Sequence, residues 1–152
     1  MRCLISIIFS PLPPQRPNPA RPGSISPNFT RTPGGGVLLS WLEPVGKPDY
    51  ALKYATRQGE SWTAARTVAT RRNFMKHPAE LPVVTMLSEN NFAALWTQGK
   101  GESDEGEDAY ASVSRDGGRT WAKPFRVHRD DSKAEHGLVS MARRDAETAT
   151  II

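Results

Sequence analysis

A fixed spacing of 55 residues constrains this chain more than any other feature. Trp41 and Trp96 stand 55 positions apart, and Gly36-Val37-Leu38-Leu39-Ser40-Trp41 aligns at that offset with Asn91-Phe92-Ala93-Ala94-Leu95-Trp96. Each segment is a turn residue, an apolar run and a terminal Trp. The same offset lays Ala79-Glu80-Leu81-Pro82-Val83-Val84-Thr85-Met86 on Ala134-Glu135-His136-Gly137-Leu138-Val139-Ser140-Met141. A repeat of this length implies units that cannot bury their apolar faces alone and must stack on one another.

The content of each unit is β. From Asn28 onward, short apolar and β-branched runs alternate with Gly, Pro, Asn and Asp, and no long stretch carries helical periodicity. The expected strands are Val37–Leu42, Tyr50–Ala55, Thr67–Ala69, Val83–Leu87, Phe92–Thr97, Tyr110–Ser114, Phe125–His128, Leu138–Met141 and Thr148–Ile152. Gly34-Gly35-Gly36, Glu89-Asn90-Asn91 and Asp116-Gly117-Gly118 supply residues that tolerate the positive φ of tight hairpins. Four strands per unit describe a propeller blade, so the fold class is all-β, a partial β-propeller of about two and a half four-stranded blades. The blades are expected at residues 27–75, 76–130 and 131–152. The third stops inside a strand, as a truncated propeller would, with open sheet edges.

Eight of the 13 prolines fall within the first 33 residues, so residues 1–26 read as an irregular Pro-rich head. Met1–Phe9 pairs a basic residue with an apolar run too short to span a bilayer and broken at Pro11. Cys3 is the single cysteine, which excludes an intramolecular disulfide, a CxxC redox pair and a cysteine zinc site. Lys and Arg outnumber Asp and Glu by 20 to 16. The basic residues are dispersed, with Arg2, Arg16, Arg21 and Arg31 in or near the head and Arg71-Arg72 and Arg143-Arg144 as separate pairs, so the excess implies solvation rather than nucleic-acid binding.

The most specific motif is Ser114-x-Asp116-x-Gly118-x-Thr120-Trp121, in the turn after the third strand of the second unit. Asp116 can accept hydrogen bonds from the amides of its own turn, Gly118 permits a left-handed conformation, and Trp121 can bury its ring among the outer strands. The matching turn of the first unit, Ala55-x-Arg57-x-Gly59-x-Ser61-Trp62, keeps Gly and Trp and lacks the acid. The complete motif resembles the Asp-box of the sialidase (neuraminidase, BNR-repeat) superfamily. In that family the box lies on peripheral hairpins, which implies a structural role for Asp116. Residues 73–152 further resemble uncharacterised bacterial exported sialidase-like proteins, in which the stretch matching His128–Ser140 reads H-x-D-G-T-x-x-E-H-G-F-V-S. Here Asp131 replaces the usual Gly, Glu80 the usual Asp, and the W-L-D-G-R continuation is missing. The resemblance implies a glycan or glycoconjugate partner and an extracytoplasmic location.

The starting ends of a propeller's inner strands face one funnel, where ligands bind. The repeat offset puts Glu80 and Glu135 at one position on adjacent inner strands, where two carboxylates can act as acid and base or nucleophile in glycoside cleavage. His136 adjoins Glu135 and is a candidate to orient it or transfer its proton. His128, Arg129, Asp130 and Asp131 lie on the loop entering the same funnel and are candidates to bind substrate, and His77 precedes Glu80. An arginine triad of the kind sialidases use is not assembled from Arg71, Arg72, Arg126 and Arg129. The acidic run Gly101–Asp108 matches no EF-hand spacing and reads as a solvated hairpin tip. No metal and no cofactor is expected. Three functional classes follow: a glycoside hydrolase of sialidase type, a noncatalytic glycan- or protein-binding propeller, and a truncated product without independent activity.

Overall fold

The computed structural model describes residues 18–100, 106–130 and 136–152. The Met1–Phe9 run and most of the Pro-rich head lie outside them, as do Asp131 and Glu135. The described residues contain no helix, and all named strand pairs are antiparallel. None of them forms a helix long and apolar enough to cross a membrane.

The first sheet runs β1 (Ile25–Arg31), β2 (Val37–Gly46), β3 (Asp49–Gln58) and β4 (Ser61–Trp62), with β5 (Arg66–Arg71) also pairing with β3. The second runs β6 (Val83–Met86), β7 (Phe92–Gly99), β8 (Glu107–Ser114) and β9 (Phe125–Arg126), and β10 (Met141–Arg143) with β11 (Ala149–Ile151) starts a third. Leu38–Glu43 and Phe92–Thr97 are buried without alternation. Such continuous burial means that neighbouring layers cover both faces of the strand. One apolar cluster joins Leu38, Leu42, Leu52 and Tyr54 of the first sheet to Val84, Phe92, Ala94 and Trp96 of the second.

β1 precedes the first strand expected from the sequence and reaches back to Ile25. Pro27 obscures it, since proline cannot donate to a ladder; the structure accommodates it where the β1–β2 register shifts between Ile25 and Asn28. Past that irregularity the two sheets share one register at the 55-residue offset. Asn28↔Ser40 becomes Val83↔Leu95, and Arg31↔Val37 becomes Met86↔Phe92. The inner strands meet through side chains, with Thr30 Oγ1 donating to the Val84 carbonyl at 2.8 Å and Arg143 Nε to the Leu87 carbonyl at 2.9 Å.

The third unit is out of step. Met86↔Phe92 recurs as Arg143↔Ala149, 57 positions on rather than 55, so Met141 corresponds to Val84 and not to Met86. Leu138, expected to open a strand, instead has φ 55° and is 73% exposed, and β10 begins at Met141.

Candidate carboxylate and histidine site

Glu80 enters β6 from a turn in which its amide donates to the His77 carbonyl at 3.0 Å. Its Oε2 accepts the Thr97 hydroxyl at 2.9 Å, near the far end of β7. In the first sheet the equivalent positions are Ile25 and Leu42, an apolar pair. A buried hydroxyl and a carboxylate have thus replaced two aliphatic side chains at one place in the repeat.

Glu135, the expected partner of Glu80, lies outside the described residues. The two-residue slip of the third unit puts Gly137 at the position corresponding to Glu80, and Gly137 is where two acids meet. A Cβ on Gly137 would stand 2.1 Å from Glu107 Oε1 and 2.7 Å from Glu80 Oε1. A side chain there would push both carboxylate ends aside, so glycine leaves them room to meet.

Residues 101–105 of the acidic run lie outside the described residues, and for Glu107 and Asp108 the reading as a solvated tip is corrected. They begin β8 and are 5% and 7% exposed, paired with Gly99 and Gln98. β7 continues three residues past Trp96, and the strand opposite must supply partners for them. The signal available in the sequence was the repeat itself. β2 runs beyond Trp41 to Gly46, so β7 should likewise outrun Trp96 and draw the end of the acidic run into the sheet.

Asp108 is the hub of the charged groups. Lys100 Nζ lies 3.3 Å from its Oδ1, Arg126 Nη1 3.9 Å from its Oδ2, and His128 Nε2 3.1 Å from Oδ1. The His128 and His136 rings stack at 3.6 Å with planes 3° apart. His128 Nδ1 faces the Asp130 carbonyl at 3.1 Å and His136 Nδ1 the Glu107 carbonyl at 3.3 Å, while His136 Nε2 is 3.3 Å from Asp130 Oδ2. Of the sequence candidates, Glu80, His128, Asp130 and His136 therefore converge. Arg129 is exposed on the same loop, and His77 is exposed on the turn before Glu80.

The Ser114–Trp121 turn occupies the opposite end of this sheet. Asp116 Oδ1 accepts the Ser114 hydroxyl at 2.8 Å and the Arg119 and Thr120 amides at 2.9 Å each, and Oδ2 accepts the Thr120 hydroxyl at 2.6 Å. Thr120, through both its hydroxyl and its amide, holds the Asp116 carboxyl well below the usual carboxylate range, with Ser114 adding to the effect. The turn also locks the two sheets together. Tyr54 of β3 donates to the Gly118 carbonyl at 3.3 Å and meets Trp121 edge-on at 6.2 Å. Near the same end, but at the inner strands, Thr30, Thr32, Thr85, Met141 and Arg143 help line a cavity of about 460 Å³.

No protein-family model matches the chain, and no curated protein does. Among solved structures, that of Penicillium chrysogenum alpha-L-arabinanase complexed with arabinobiose is similar, at 14% identity and a TM-score of 0.51, over 78% of this chain and 36% of that one. The chain thus spans just over a third of that enzyme's length. That structure is a β-propeller, and the likeness, with the antiparallel all-β sheets and their recurring register, gives this chain the fold of a partial β-propeller.

Proposed function

We propose that the chain belongs to a glycan-directed β-propeller whose chemistry is glycoside hydrolysis, with Glu80 and Glu107 as the reacting carboxylates. The observation that carries this reading is their meeting over Gly137. Carboxyl groups brought so close fit the retaining arrangement better than the inverting one, which leaves room for a water between them. In that arrangement one carboxylate attacks the anomeric carbon while the other protonates the departing oxygen. Water then releases the sugar, returning its proton to the second group. Thr97, donating to Glu80, fixes that carboxylate as an acceptor and suits it to attack, and Glu107 takes the role of acid and base.

The electrostatics favour a neutral glycan over a sialylated one. Gripping an anionic sugar needs cationic groups free to converge on it. Here Lys100 and Arg126 are committed to Asp108, which leaves Arg129 as a single exposed cation among the described residues of the loop, and Glu80, Glu107 and Asp130 add negative charge around them. The arabinobiose bound by the similar enzyme is a neutral sugar, in keeping with this preference.

Turnover of a panel of 4-nitrophenyl pentosides and hexosides beside a fluorogenic sialoside tests the reading. Hydrolysis of a neutral member is expected, falling by about 100-fold or more in both Glu80→Gln and Glu107→Gln. Sialoside turnover alone would restore the sialidase assignment. Binding on a glycan array without turnover would make the propeller a noncatalytic lectin, and unaltered turnover in both variants would remove the two acids from the chemistry.

A further inference from the structure

We infer that Asp108, His128 and His136 form a binding site for a divalent cation of the zinc type, with Asp130 as the fourth ligand. Each ring turns Nδ1 toward a backbone carbonyl, Asp130 for His128 and Glu107 for His136. A carbonyl oxygen only accepts, so Nδ1 carries the hydrogen in both rings, and in the neutral ring Nε2 then presents its lone pair to a metal. Both Nε2 atoms then face carboxylate oxygens, Asp108 Oδ1 at 3.1 Å and Asp130 Oδ2 at 3.3 Å. Two lone pairs at such distances repel unless a positive charge lies between them.

The two rings stack 3.6 Å apart, which brings their Nε2 atoms toward one point. One metal ion satisfies both rings at once. Two further observations point the same way. His128 Nε2 is buried and makes no hydrogen bond, although Asp108 Oδ1 lies 3.1 Å away. The ligand atoms of Asp108, His128 and His136 also lie within 4.8 Å of one another.

Imidazole Nδ1–H on a backbone carbonyl with Nε2 on the metal is the outer-shell pattern that fixes tautomer and ring orientation in zinc proteins. Two nitrogens and two carboxylate oxygens suit tetrahedral zinc, whereas calcium and magnesium favour oxygen alone. Bonds of about 2.0–2.1 Å require the stacked rings to splay and the ligand atoms to draw inward. Lys100, 3.3 Å from the same Asp108 oxygen, would yield its place to the ion. The ion would tie the start of β8 and the residues after β9 to the segment holding Gly137.

Cobalt(II) titration of the purified chain tests the site, because tetrahedral Co²⁺ absorbs strongly in the visible and octahedral Co²⁺ only weakly. A one-to-one tetrahedral spectrum, displaced by Zn²⁺ and unaffected by excess Ca²⁺, is expected. His128→Ala and His136→Gln should each weaken binding at least as much as the about 10–100-fold typical of losing an outer-shell partner. His77→Ala, exposed and not among the grouped ligand atoms, should leave it unchanged. Circular dichroism of each variant separates lost ligands from lost fold. X-ray absorption of the Zn²⁺-loaded wild-type chain, which needs no variant, should show two imidazole ligands. An octahedral spectrum, all-oxygen coordination, or binding retained in both folded histidine variants would overturn the inference.

Discussion

Single residues at the Ser114–Trp121 turn set how closely two sheets approach. Gly118 has φ +76°, and a Cβ on it would come within 1.8 Å of the Tyr54 hydroxyl oxygen. Tyr54 cannot swing aside, since its ring is 2% exposed and packed against Phe92 and Trp121. Gly59, the counterpart in the first sheet, also has positive φ but nothing within 4 Å of its Cβ position. Gly59→Ala should therefore cost only the left-handed backbone term, about 1–2 kcal/mol. Gly118→Ala should exceed it by about 1–3 kcal/mol from overpacking, read as a larger drop in urea midpoint. Asp116 in the same turn has a linked pH signature. Its pKa is lowered on folding, so its contribution is present above the ordinary Asp value of about 3.9 and is lost as pH falls toward the folded value. The acid limb of stability against pH should be shallower in Asp116→Asn than in the wild type, as followed by chemical denaturation between about pH 5 and pH 2.

Strands repeat here with altered pairings, and the alterations are informative. Trp41 Nε1 donates to Glu43 Oε2 at 3.1 Å, and 55 positions on Trp96 Nε1 donates to Gln98 Oε1 at the same distance. Across from Trp41 stands Lys53, whose Nζ is 2.7 Å from Glu43 Oε1; across from Trp96 stands Tyr110, stacked on the indole at 6.5 Å. Burial raises the Glu43 pKa, but hydrogen bonds from Lys53, Trp41 and the Arg21 amide outweigh it and hold the group ionised. Lys53→Ala leaves that carboxylate buried at 1% exposure without its ammonium and should cost about 3 kcal/mol. Importing the second sheet's solution, Glu43→Gln with Lys53→Tyr, should recover most of the loss in thermal unfolding. The strands themselves were legible because their apolar runs and Gly-rich turns repeat at a fixed interval. β1 was hidden by Pro27, and the third unit was misaligned by the chance correspondence of Met86 with Met141. The site was legible in part. Glu80, His128, Asp130 and His136 stood out by position and residue type, whereas Glu107 and Asp108 were concealed among like charges that ordinarily belong in solvent. The overrun of β7 past Trp96, matching that of β2 past Trp41, draws the last two into the sheet.

For the molecule as a whole, the decisive geometry is the alignment of inner strands side by side. It places the hydrogen-bonded Asp116 turn and the carboxylate–histidine group at opposite ends of one sheet. A change in the turn therefore bears on how sheets stack, whereas under the function proposed above a change at Glu80 or Glu107 bears on chemistry. One position in the repeat has a wider consequence. Counted along the inner strands it is Ile25 in the first unit, Glu80 in the second and Gly137 in the third. An oily side chain, an acid and an empty space thus descend from one slot. The repeated parts contribute differently: one packs apolar surface, one carries charge, and one contributes only room. A ring built from copies can in this way acquire a lopsided centre without changing its framework, and exchanging residues between units should erase the specialisation while leaving the framework standing.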